Sequence, residues 1–154
     1  MKAEAIQIRN TIFWIVISLF AALLFAVIAI NGRFQGHKLT IFAFVSLLII
    51  FGVMAVVLAV LSVRAKEPGI RKLFFVVTGI SAAGIPVCVI LHNLVFALCV
   101  KFGWAFWGEG GDEPIFFILA LFVCPALFLA GALGSIVILI RARLRKNAEI
   151  IQKY

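Results

Sequence analysis

Charge is scarce in this chain and absent from most of its length. Asp, Glu, Lys and Arg make up 13% of the 154 residues, and four runs, 11–30, 39–63, 73–100 and 115–140, contain none of them. Hydrophobic residues make up 66%, where a water-soluble domain holds nearer half. So few charged groups cannot cover a core of that composition, which excludes a soluble globular fold. Acidic groups are missing from all four runs. That speaks against the small four-helix multidrug exporters, whose proton coupling depends on a carboxylate within the membrane. Cysteine is limited to Cys88, Cys99 and Cys124, with no C-x-x-C pair. The four-helix thiol oxidoreductases need closely spaced pairs, and an odd count gives no disulfide framework. Buried cysteines of this kind serve as small apolar packers.

The runs themselves define the architecture. Each holds 20 or more residues, and about 20 residues at ~1.5 Å rise cross a ~30 Å hydrocarbon core. Backbone groups can be satisfied there only in a helix or a closed barrel, and barrel strands would be about 10 residues of alternating polarity. The expected fold is therefore all-α: an integral-membrane bundle of four transmembrane helices with short loops, forming one domain over 1–154, with a basic tail at 141–154. The first run has a basic start, as a signal peptide does, but its apolar core is too long, so a retained helix is expected.

The net charge of +8 does not mark a nucleic-acid partner, because the basic residues sit at the ends of the runs rather than on a soluble domain. Eleven of them fall before the first run, between the second and third, or after the fourth; three, Arg33, Lys38 and Lys101, fall on the other side. This bias places both termini in the cytoplasm. The location expected is the plasma (cytoplasmic) membrane of a prokaryote. Arg141, Arg143, Arg145 and Lys146 are the expected contacts to anionic headgroups of the inner leaflet, with the tail lying along it.

In the third run, Ser81, Gly84, Cys88, His92, Val95 and Cys99 share one stripe at ~100° per residue, while Gly79, Ala82, Pro86 and Asn93 fall on the opposite side. Small and polar residues mark helix contacts in membranes, so this helix is expected to have two contact faces and to be the most enclosed. Matching stripes are Ala120, Cys124, Gly131 and Ser135 in the fourth run and Ser18, Ala22, Ala26 and Ala29 in the first. The second, mostly Leu, Ile and Val, is expected to face lipid most. Pro86 and Pro125 remove backbone bonds and leave the carbonyls of Ala82 and Leu121 free.

The candidate intramembrane site is His92, Asn93, Cys88 and Cys124. A histidine within a span is a functional candidate. The plainer account is a neutral ring that fixes packing by a hydrogen bond to a neighbour. Matching depths in the two runs place His92 against the fourth helix near Cys124. Cys88 and His92, four apart, suit two metal ligands, but a third is wanting. A haem held by two histidines would need His37, outside the second run. No metal and no cofactor are expected. Glu109, Asp112 and Glu113 in the outer loop offer a weak cation site, and Asp112 or Glu113 equally well caps the fourth helix ahead of Pro114. No catalytic constellation emerges. The expected function is non-enzymatic: a subunit, anchor or assembly factor of a membrane complex, associated with partner subunits or as a homo-oligomer. The alternative is a small transporter or channel subunit with a polar path around His92 and Asn93.

Overall fold

A computed structural model describes residues 2–33, 38–65, 67, 69–103 and 114–151. All of its regular structure is helical. α1 spans Lys2–Arg33, α2 Lys38–Arg64 and α3 Ile70–Phe102. α4 covers 114–151: it starts as Pro114–Ile118, widens into one π turn at Leu119–Val123 and continues as Cys124–Ile151. All four are long and apolar enough to cross a membrane. Each outruns its apolar stretch, because charged residues at the ends are good helix formers. α4 in particular carries its helix unbroken through the basic segment to Ile151, where the sequence reading has a separate tail laid flat. Gly103, at φ 64°, ends α3 in a left-handed cap whose N–H bonds the Cys99 carbonyl, a conformation glycine adopts at no steric cost.

α3 is the centre of the bundle. It packs along both α2 and α4, while α1 packs mainly along α2. Its two contact faces are the two expected. On one, Gly79 lies so close to α2 that a Cβ there would stand 2.6 Å from the Ala59 nitrogen, and Pro86 faces Gly52. On the other, Thr78 meets Gly131, Phe74 meets Gly134, and Gly84 meets Cys124 on α4. Glycines let the backbones approach, which maximises dispersion contact where the surroundings are already apolar. α2 packs between α1 and α3 through one buried stripe, Phe51, Ala55, Leu58 and Ser62; the rest of it faces outward, and it and α1 are the two least buried spans.

α1 joins by a different route. Ser18 and Ala22 of its small-residue stripe are exposed; the buried face is Arg9, Phe13, Val16 and Leu23. Its long aromatic side chains bridge the distance that small residues close elsewhere. The Phe13 ring meets Phe75 edge-on at 5.3 Å, and Phe20 meets Phe128 at 4.5 Å. Phe51 completes an aromatic layer against Phe128, each such pair contributing about 0.5–1.5 kcal/mol beyond its area.

Candidate functional site

The polar side chains inside the bundle mostly bond their own helix. Ser62 Oγ donates to the Leu58 carbonyl at 2.6 Å, Thr78 Oγ1 to Phe74 at 2.7 Å, Ser81 Oγ to Val77 at 2.6 Å and Asn93 Nδ2 to Val89 at 2.7 Å. This back-bonding to the carbonyl one turn earlier satisfies a hydroxyl or amide without a partner helix.

A cleft of about 580 Å³ lies above the aromatic layer, on the side away from the chain termini. It exists because α1 stands off from α4 there. All four helices wall it. Phe20, Phe51, Ile85 and Pro125 lie at its inner end, and Val27, Phe44, His92, Asn93 and Phe117 at its outer end. The axial distance from Ile85 to Asn93 is about 12 Å at ~1.5 Å per residue. Apart from His92 and Asn93 the walls are apolar.

The four intramembrane candidates do not form one group. His92 is half-buried, and its ring lies 5.5 Å from that of Phe117. Cys124 sits one to two turns deeper, in the notch left by Gly84 and near the Cys88 thiol. The expected His92–Cys124 contact is therefore replaced by two others, His92–Phe117 and Cys88–Cys124. The cause is helix register. The pairs Thr78–Gly131, Gly84–Cys124 and His92–Phe117 set the start of α4 level with about Leu94. The last two turns of α3 thus extend past α4, and the two outer ends are not at one height. Asn93, read as lying opposite the Ser81–Cys99 stripe, opens into the cleft.

Pro125 shapes the wall opposite His92. The sequence predicts a freed Leu121 carbonyl; the helix answers with the π turn, in which the Cys124 N–H bonds the Leu119 carbonyl. Widening the turn relieves the clash of a proline ring with the preceding turn. Phe117, Ala120 and Leu121 of this stretch all line the cleft. Only the proline signalled them in the sequence.

Among the described residues no three His, Cys, Asp or Glu side chains converge to hold a metal. Glu109, Asp112, Glu113 and His37 lie outside the described residues. Arg141, Arg143 and Arg145 are exposed on the final turns of α4, on the helix that also carries Lys146.

A second polar feature was not foreseen. Arg9, counted in the sequence as a charge flanking the first run, is buried. Its guanidinium pairs with Glu67, donates to Asn10 Oδ1 at 2.9 Å and stacks 3.9 Å above the Phe75 ring. The only signal was Glu67 itself, the one acid between the second and third runs. No family model, curated protein or solved structure matches this chain.

Proposed function

We propose that this chain is an integral membrane protein with both termini in the cytoplasm, and that it serves as a non-enzymatic subunit, anchor or assembly factor of a larger complex in a prokaryotic plasma membrane. The carrying observation is how the interior polar groups are used. Ser62, Thr78 and Ser81 bond their own helix. This supports a packing role for them, because a hydroxyl satisfied within its own helix is not offered to a path between helices. The orientation rests on the eleven-to-three bias of basic residues, the topology signal of membrane helices. Purification from native membranes in a mild detergent tests the role. Stable, stoichiometric foreign subunits are expected; a preparation containing this chain alone would overturn it.

The cleft favours a second reading, a small transporter or channel subunit. Its two polar residues sit at the outer end and its walls below are apolar. Such a gradient suits an amphiphile entering chain-first better than an ion or a sugar, because the inner end offers no hydrogen bonds. Uptake of a fluorescent single-chain lipid into vesicles carrying the purified chain, lost in Leu24→Trp, would favour it. Equal uptake by protein-free vesicles would exclude it.

A further inference from the structure

At the opposite end of the bundle from the cleft, the seam between α3 and α4 opens into a small cavity of about 170 Å³. It is lined by Ile70, Arg71, Ile138, Arg141, Ala142 and Arg145. We infer that this cavity binds the phosphate group of an anionic phospholipid of the cytoplasmic leaflet, gripped by Arg71, Arg141 and Arg145.

Charge is the first argument. Three arginines from two helices border one small space, and among the described residues no carboxylate lines it. Among the described residues none of the three has an ion pair or hydrogen bond to a protein group, and the first turn of α3 contains no acidic residue. Three like charges around one cavity repel one another unless an anion joins them. Arginine is the residue suited to this, because its planar fork bonds phosphate oxygens in pairs.

Shape is the second. The seam just beyond is closely packed: a Cβ at Gly134 would stand 2.2 Å from the Phe74 ring, and one at Gly131 2.7 Å from Thr78 Oγ1. The two helices thus meet closely beside the cavity, which brings Arg71 next to α4. Arg141 and Arg145, four apart, project from one face of α4, whereas Arg143 lies roughly opposite at ~100° per residue and does not line the cavity.

Position is the third, and here the inference rests on the proposed membrane orientation. With the termini in the cytoplasm, the cavity lies where the apolar run of α4 gives way to its basic turns, at headgroup height. Ile70 and Ile138 supply an apolar flank for the glycerol and upper acyl carbons. Basic pockets between helices on the cytoplasmic side are suited to such headgroups. A diffuse basic patch would use Arg143 as much as Arg145; this site does not.

Native mass spectrometry of the full chain, released from detergent with added phosphatidylglycerol, phosphatidylcholine or inorganic phosphate, tests the proposal. One phosphatidylglycerol is expected to be retained per chain, in preference to phosphatidylcholine and undisplaced by millimolar inorganic phosphate. Arg71→Gln and Arg145→Gln should each weaken retention about tenfold, the effect of losing one charge-assisted contact of ~1.4 kcal/mol. Arg143→Gln should leave it unchanged. All three positions are exposed, so the variants are expected to fold, and a matched thermal melt checks this. Equal losses from Arg143→Gln and Arg71→Gln would overturn the site in favour of general attraction to the surface. Full displacement by inorganic phosphate would overturn the lipid as ligand. Failure of the membrane orientation itself would show separately, in labelling from the two sides.

Discussion

Arg9 on α1 and Glu67, 58 positions later in the connection between α2 and α3, form an ion pair whose guanidinium sits over the Phe75 ring. The side chains are 3% and 15% exposed, so neither charge is well hydrated. Removing one partner leaves the other desolvated, which costs about 3–5 kcal/mol when burial is complete. Glu67→Ala is therefore expected to destabilise the bundle by about 3 kcal/mol in unfolding by denaturing detergent. The double variant Arg9→Met with Glu67→Ala should recover most of that loss. If the double variant is as unstable as the two single losses added, the pair is not coupled and this account of it fails.

Close backbone approach sets the second expectation. Gly79→Ala places a methyl 2.6 Å from the Ala59 nitrogen and 2.8 Å from its Cα. Backbone cannot swing aside as a side chain can, so α2 and α3 must part. A loss of about 1–3 kcal/mol is expected, the usual scale of overpacking. Ala130→Leu, on an exposed position of α4, adds more volume and should cost little. Reversal of that order in thermal melts of the detergent-solubilised protein would contradict the α2–α3 contact.

The thiols provide a third, chemical check. Cys88 and Cys124 reach each other across the α3–α4 seam, and Cys99 lies beyond the start of α4. Copper phenanthroline, which enters membranes, should join Cys88 to Cys124 within one chain, seen as a linked peptide by mass spectrometry. Cys88→Ser or Cys124→Ser should abolish the product and Cys99→Ser should not. A cross-link that requires Cys99 would mean that the register of α3 on α4 is wrong.

Membrane topology is open to direct labelling. In a chain freed of its three native cysteines, Glu109→Cys should react with an impermeant thiol reagent added outside intact cells. Ile70→Cys, exposed at the start of α3, should react only after the cells are opened. The reverse pattern would invert the proposed orientation.

The gaps in charge made the four helices legible, and the small-residue spacing made both faces of α3 legible, because glycine and serine are poor lipid contacts and good helix contacts. The buried stripe of α2 was not legible for the converse reason. Leu, Ile and Val suit lipid and a neighbouring helix equally, so Phe51, Ala55 and Leu58 gave no sign of being buried. α1 misled because Ser18 and Ala22 of its small-residue stripe face outward while phenylalanines make its contacts. How the four candidate residues lie relative to one another was not legible. Loop length says which helices are neighbours, not how far one slides along the other. That sliding is what parts His92 from Cys124.

The π turn at Leu119–Val123 gives α4 one residue more than a regular helix of the same length would use. Deleting a single residue within it would let the helix close into ordinary turns with little change in length. Both flanks would keep their facing, because the wide turn already absorbs the extra residue. Phe117 would stay against His92, and Gly131 and Gly134, beyond the turn, would keep their places against α3. The two halves of α4 are thus insulated from a one-residue change in length at this point. A chain one residue shorter here would retain its packing seam and lose only the bulge in the cleft wall.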